Sequence, residues 1–193
     1  MLTEVIKDYI KKNLSEKRYI HSLGVADEAV KLATKFGVDT KKAYFAGLAH
    51  DIAKEIPENE LRQKLITFGE EELLKKYSYP LLHGPAAAVI LKKEFEVLDD
   101  EILDAVHYHT TGKENMGNLT KIIYLADFIE PNRSFQGVKE VREASKVSLD
   151  EAIILSSGMV IINTIRKGKE VHSDTVIARN YLLKKHKEVM LDF

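Results

Sequence analysis

At 193 residues the chain fits one compact domain, able to bury about 70% of the surface that its unfolded form exposes. It contains no cysteine, which excludes disulfides, thiolate metal sites and a cysteine nucleophile, so any metal must be held by nitrogen and oxygen. Its 29 basic and 30 acidic residues nearly cancel and are interspersed, which excludes the basic stripe that nucleic acid attracts.

The opening segment Met1-Leu-Thr-Glu-Val-Ile-Lys-Asp8 is amphipathic and charged, unlike the apolar core of a signal peptide, and no uncharged stretch approaches membrane-spanning length. The expectation is a soluble cytoplasmic protein with neither nucleic acid nor a membrane as partner. Apolar residues recur at spacings of three and four, with Gly and Pro between the runs and almost no alternation. The pattern predicts an all-α chain with helices near 2–13, 16–36, 40–54, 58–67, 70–77, 81–95, 100–109, 119–130, 138–145, 149–167 and 174–190.

The second predicted helix carries the stripe His21, Val25, Ala29, Leu32 and Phe36, and Gly37 just beyond it suits a left-handed C-terminal cap. Asp39 and Asn118 are placed to accept from the first free amides of the helices they precede, and Ser148 with Glu151 forms a capping box. No linker or repeat divides the chain. Residues 1–193 read as a single domain: a core of about 16–135, then a helical annex of about 136–193 with fewer inward polar residues.

Three apolar runs each deliver polar atoms inward. His21 lies on its stripe, His50 and Asp51 stand side by side in Ala43-Tyr-Phe-Ala-Gly-Leu-Ala-His50-Asp51-Ile-Ala53, and Asp127 interrupts Ile122-Ile-Tyr-Leu-Ala-Asp127-Phe-Ile129. Any one of them alone reads more readily as a hydrogen-bonded core residue or a cap. Together the two imidazoles and two carboxylates suit a borderline or hard divalent ion with positions open to water and substrate. On a continuous helix His50 and Asp51 diverge by about 100°, so they share an ion only if it lies over the boundary of their two faces. Such an ion polarises a phosphoryl oxygen and lowers the pKa of a water toward about 7, which points to hydrolysis.

His21, His50-Asp51 and Asp127 resemble the H…HD…D pattern of the HD-domain metal-dependent phosphohydrolases. Further blocks narrow the resemblance: Arg18-Tyr-Ile-His21-Ser-Leu-Gly-Val-Ala26, Ala46-Gly-Leu-Ala-His50-Asp51-Ile-Ala-Lys54, His83-Gly84 and His109-Thr-Thr-Gly112. With Lys121-Ile-Ile-Tyr-Leu-Ala-Asp127-Phe-Ile-Glu-Pro-Asn-Arg133 and Ala178-Arg-Asn-Tyr-Leu182, they resemble the bacterial YqeK family over nearly the whole chain. The resemblance implies an HD-domain helical bundle with a C-terminal helical extension. It also implies a homodimeric symmetrical bis(5′-nucleosyl)-tetraphosphatase that cleaves diadenosine tetraphosphate into two ADP. The implied cofactor is a divalent or trivalent metal ion, iron first, with manganese, cobalt or zinc as alternatives.

Carried onto this sequence, the resemblance makes His21, His50, Asp51 and Asp127 the metal ligands. The substrate contacts become Arg18, His21, Lys54, His83, His109, Thr110, Arg133 and the loop Glu170, Val171, His172, Ser173, Asp174 and Thr175. Lys54, one turn from His50, reaches a metal-bound phosphate, the plainer alternative being a solvent-facing lysine. His83, before a break at Gly84-Pro85, lies near a helix start where anions are favoured. His109 with Thr110 at a helix end, and Arg133 just past the Asp127 helix, point back at the same phosphate, the alternatives being a cap and a surface ion pair. The 170–175 loop is either a nucleotide cradle at a helix N-terminus or only a capped turn.

Asp51 is the base, and Lys54, His109 and Arg133 balance developing charge, with Arg133 as the clamp on the leaving group. His107 stands where the family pattern has Arg. Two residues from His109 on a helix, it faces nearly the opposite way, and His109 is the one assigned to the pocket. His186 reads as solvated. The rival readings are a hydrolase of another nucleotide and a metal-dependent nucleotide sensor without turnover. A guanosine tetraphosphate hydrolase is disfavoured, since Lys54-Glu55 follows where that group carries paired acids.

Overall fold

The computed structural model describes residues 2–185, so the last residues of the predicted 174–190 helix and His186 lie outside the described residues. Within them the chain is all α, as its periodicity predicts: α1 (Leu2–Asn13), α2 (Glu16–Phe36), α3 (Thr40–Ala49), α4 (Glu58–Thr67), α5 (Glu72–Lys76) and α6 (Tyr79–Glu94). Then follow α7 (Asp100–Tyr108), α8 (Asn118–Ile129), α9 (Val138–Ser145), α10 (Leu149–Arg166) and α11 (Ser173–Lys185).

Helices α2, α3, α7 and α8 pack against one another as the central bundle, with α6 against α7 and α1 over α3. Small residues let them approach closely. Ala26, Ala29, Ala43, Ala46, Ala49, Ala105 and Ala126 are all buried between helices, and Leu48, Ile122, Ile123 and Leu125 fill the space beside them. At Gly47 even a methyl group is too large: a Cβ there would lie 2.8 Å from the Ala26 Cα across the α2–α3 contact. Helices α9 and α11 pack on α10, and α10 packs on α8, where the Lys121 ammonium and the Asp150 carboxylate form a buried ion pair.

Several helix ends follow their sequence signals. Gly37 adopts φ 67° and its amide returns to Ala33 O, and Asp39 accepts from the Lys41 and Lys42 amides. Ser148 Oγ accepts from the Glu151 amide at 3.3 Å, but the reciprocal half of the capping box is replaced, since the Ser148 amide donates to Ala144 O. Asn118 does not cap: it is the first residue of α8, and Gly117 holds the cap position without a side chain to accept. Gly84-Pro85 is not a helix break either, because α6 starts at Tyr79 and runs through it. Pro85 removes only its own donation to a carbonyl near the helix start, while the surrounding Leu82, Ala86 and Ala87 are fully buried.

The largest departure is at His50. The predicted 40–54 helix stops at Ala49, and the chain continues in tight turns with Ile52 N to Ala49 O at 3.1 Å and Lys54 N to Asp51 O at 2.9 Å. The cause is local: His50 Nδ1 donates to Gly47 O at 2.7 Å, taking the carbonyl that the next helical amide would need.

Gly47→Ala is expected to force α2 and α3 apart and lower the unfolding free energy by about 1–3 kcal/mol, read from the urea midpoint. An unchanged midpoint would mean that the α2–α3 contact yields more easily than its geometry implies.

Candidate metal centre

Five segments meet at one end of the bundle. α2 brings Arg18 and His21, the turns after α3 bring His50, Asp51 and Lys54, and α6 brings His83. The end of α7 brings His109 and Thr110, and α8 with the loop after it brings Asp127 and Arg133. His50 is fully buried, and Asp51, His83 and His109 nearly so.

The imidazole tautomers follow from what each Nδ1 touches. A backbone carbonyl can only accept, so an Nδ1 beside one must carry the proton. His50 Nδ1 lies 2.7 Å from Gly47 O, His83 Nδ1 3.0 Å from Pro80 O, and His109 Nδ1 2.7 Å from Val106 O, each carbonyl three residues earlier in the chain. His21 Nδ1 lies 3.1 Å from the buried Glu130 carboxylate. In the neutral rings every Nε2 is therefore left as a bare acceptor.

These acceptors face carboxylate oxygens and one another. His21 Nε2 lies 3.0 Å from Asp127 Oδ1, and His50 Nε2 lies 3.6 Å from Asp51 Oδ2 and 3.9 Å from Asp127 Oδ1. His83 Nε2 lies 3.1 Å from His109 Nε2 and 3.3 Å from Asp51 Oδ1. His50 Nε2 is buried without a hydrogen-bond partner. Lone pairs aimed at one another in a dry pocket repel, and a cation between them removes the repulsion. Donor atoms of His21, His50 and Asp127 all lie within 4.8 Å of one another, as do those of His50, Asp51 and His109. The residues thus fit a divalent ion on nitrogen and oxygen donors, with His50 common to the two groupings.

Protonation supports the fit. Burial pulls His50 down to about 4 against the opposing Asp51 carboxylate, and burial with the neighbouring His109 pulls His83 down to about 3, so both present lone pairs at neutral pH. Burial opposes ionisation of Asp51 and Asp127, yet the imidazoles around Asp51, and His21 with Arg133 beside Asp127, hold both well below the usual carboxylate range. Burial also lowers His21, but the Asp127 and Glu130 carboxylates more than reverse this and leave it raised.

Cationic groups ring the cluster. Arg18 Nη1 donates to Asp51 Oδ2 at 2.7 Å, Arg133 Nη2 donates to Asp127 Oδ1 at 2.6 Å, and Lys54 Nζ lies 3.0 Å from His83 Nε2. Thr110 Oγ1 lies 3.2 Å from the same His83 nitrogen. His107 faces away, its Nε2 3.1 Å from the Tyr77 hydroxyl.

The 170–175 loop is anchored elsewhere. The His172 ring stacks on Tyr77 at 4.9 Å with planes 3° apart, and Asp174 pairs with Lys76 at 2.9 Å and accepts from Tyr77 Oη at 3.3 Å. Glu170 is exposed, Val171 and Ser173 are not fully covered, and Thr175 is buried in the first turn of α11. Two residues escaped the sequence reading. Glu130, three residues past Asp127, carried a usable signal as a second acid ending the same apolar run. Arg142, in the polar-looking α9, carried none.

An all-α domain that gathers histidine and carboxylate donors within 4.8 Å of one another defines a class, and comparison places the chain within it. A model of the HD domain matches residues 18–132. The symmetrical bis(5′-nucleosyl)-tetraphosphatase of Bacillus subtilis (strain 168) is 40% identical over 174 residues, covering 90% of this chain and 94% of that protein. The protein of the same name from Staphylococcus aureus (strain NCTC 8325) is 37% identical over 183 residues, covering 94% of each chain. A crystal structure from Clostridium acetobutylicum, titled a predicted HD superfamily hydrolase involved in NAD metabolism, superposes with a TM-score of 0.86 at 42% identity. It covers 94% of this chain and 97% of that one. The chain belongs to the HD-domain family, and within it to the YqeK-type group that these tetraphosphatases represent.

His50→Ala and Asp127→Ala are each expected to lose bound metal while keeping the helical circular dichroism of the parent. Stoichiometric metal in either variant, measured by elemental analysis, would remove that residue from the ligand set.

Proposed function

We propose that this protein is a metal-dependent hydrolase that cleaves diadenosine tetraphosphate symmetrically into two ADP. The observation that carries the reading is near-full-length similarity to two proteins of that name, at 40% and 37% identity. The site is compatible with it: acceptor-only atoms of His21, His50, Asp51 and Asp127 form the metal side, and donors from Arg18, Lys54, Thr110 and Arg133 form the phosphate side.

A bound divalent ion would supply Lewis acidity toward a phosphoryl oxygen and acidify a water beside it. Asp51, ionised and buried at the centre of the cluster, orients the attacking water and takes its proton. Lys54 and Thr110, each within reach of the His83 Nε2 lone pair, donate to the attacked phosphate, and His83 and His109 form the wall beside it. Lys54 offers a positive charge in a site where burial lowers its pKa. Arg133 presents a planar fork to the departing nucleoside diphosphate and offsets the charge it gains. Arg18 binds the more distal phosphates. Attack on either inner phosphorus breaks the central P–O–P bridge and leaves a β-phosphate on each product.

The reading extends to the 170–175 loop as the nucleotide cradle, supported by the His172–Tyr77 stack beside the start of α11. It also takes iron as the resident ion, a homodimer as the assembly and the cytoplasm as the compartment, on the strength of the family resemblance. Manganese, cobalt and zinc suit the same donors. The described residues act as one domain, the annex joined to the core by the α8–α10 packing. A second reading, hydrolysis of another nucleotide, draws on the NAD metabolism named for the Clostridium acetobutylicum protein.

Single-turnover hydrolysis of diadenosine tetraphosphate in ¹⁸O-water should give two ADP, with one label on the β-phosphate of one of them. AMP with ATP as first products would overturn symmetrical cleavage, and faster turnover of NAD would favour the second reading. His83→Ala and Arg133→Ala should keep the ion and lose about 100-fold in kcat/KM, since the first removes the nitrogen that aims Lys54 and Thr110 and the second removes a phosphate contact, neither being a ligand. Loss of metal from His83→Ala would instead make it a ligand of a second ion beside Asp51.

A further inference from the structure

We infer that Arg142 is a positioning residue for the metal centre, acting through Glu130 and the turn that follows it. The annex helix α9 places its guanidinium over the C-terminal end of α8. There Nε donates to Ile129 O at 2.8 Å, and Nη2 donates to both Glu130 O and Arg133 O at 2.8 Å. One planar group gathers three carbonyls at a helix end and the turn beyond it, that of Glu130 being shared with the Arg133 amide. No other residue type spans them, because Lys offers its donors from a single point.

What the clamp fixes is the turn from Glu130 to Arg133, closed by Arg133 N to Glu130 O at 2.9 Å. Both ends of that turn bear on the site. At the first end, Glu130 Oε1 accepts from His21 Nδ1 at 3.1 Å, while Oε2 accepts from the Asn132 amide at 2.7 Å. The carboxylate thereby fixes the His21 tautomer and makes its Nε2 a better donor to a cation. At the other end, Arg133 donates from Nε to Asp127 O at 2.9 Å and from Nη2 to Asp127 Oδ1.

A third element has been shaped to admit this arrangement. Gly24, one turn beyond His21 on α2, faces the buried carboxylate, and a Cβ there would lie 2.9 Å from Glu130 Oε2 and 3.6 Å from Asn132 Nδ2. The open space at Gly24, the carboxylate of Glu130 and the guanidinium of Arg142 come from three different helices or their ends, and all three serve one imidazole ring. Arg142 touches neither substrate nor metal, and its effect is on where His21 and Arg133 point.

The inference rests on His21 and Asp127 being metal ligands, and its test reads metal binding directly, without substrate. Mn²⁺ titrations followed by electron paramagnetic resonance compare the parent, Arg142→Ala, Glu130→Ala, the double variant and Val141→Ala. Val141 is the fully buried α9 neighbour and controls for packing alone. Arg142→Ala and Glu130→Ala should each weaken Mn²⁺ binding roughly 10–100-fold, and the double variant should lose less than the product of the two. Val141→Ala should lower the melting temperature and leave Mn²⁺ affinity unchanged.

Parent-like Mn²⁺ affinity in Arg142→Ala, with only a lowered melting temperature, would reduce Arg142 to a structural residue and overturn the inference. If Arg142→Ala does not fold, Arg142→Lys takes its place: a loss of about tenfold supports the clamp, and unchanged affinity overturns it. A parent protein that takes up no Mn²⁺ would undo the metal-site reading itself, a result distinct from either.

Discussion

Helix ends leave carbonyls without amide partners, and this centre is built by giving two of those carbonyls to histidines. His50 closes α3 and His109 closes α7, and each turns its Nδ1 onto a carbonyl in the last turn of its own helix. The bond satisfies a buried acceptor, fixes the tautomer and aims Nε2 inward, all within one segment of chain. His83 reaches the same state from the other direction, with Nδ1 on Pro80 O near the start of α6. A cluster of inward lone pairs is then the unavoidable outcome, and such a cluster is stable only with cations in or around it. In the structure Arg18 and Arg133 hold the two carboxylates, so the protein carries its own counter-charges next to the place where a metal would bind. Anionic phosphate would draw on those same two guanidinium groups, which links substrate binding to the electrostatics of the metal pocket.

The tight turn after Ala49 matters for the same reason. On a continuous helix Asp51 would point about 100° from His50, and the two could share an ion only at the edge of both faces. With the chain bonded three residues apart, Asp51 and Lys54 come nearly into line on one side, and Asp51 reaches across to His83 and His109. A carboxylate from this turn therefore stands between both groups of imidazoles.

The sequence made most of the helices legible because their burial follows the apolar spacing: the His21 stripe is inward through Val25, Ala29 and Leu32. It also made the polar residues inside those stripes legible, since His21, His50 and Asp127 each interrupt an otherwise apolar run. Periodicity could not show where α3 stops, because the apolar pattern continues past His50 and the side-chain bond that ends the helix has no apolar signature. Nor could it show Arg142, whose three carbonyl partners lie 9 to 13 residues earlier in the chain and are main-chain atoms with no sequence identity of their own. The 170–175 loop was recognised by resemblance, but its anchorage on Lys76 and Tyr77 is a contact across about 100 residues that local pattern does not carry.

A carboxylate ligand is only as well placed as the helix that bears it, and α8 is held at both ends by the annex. Near its start, Lys121 is buried against Asp150 of α10, and at its finish Arg142 of α9 gathers the last carbonyls and the turn beyond. Between these two grips lies Asp127, facing His21 from α2, while Glu130 reaches the far side of the same imidazole. Rotation of α8 by a single residue would carry Asp127 about 100° around the axis and out of reach of His21. Two polar anchors more than a turn apart suppress that rotation in a way that apolar packing, tolerant of small slips, does not. Among the described residues, the helices after about residue 135 contribute no histidine or carboxylate to the cluster and thus take part in the centre through the rigidity of α8.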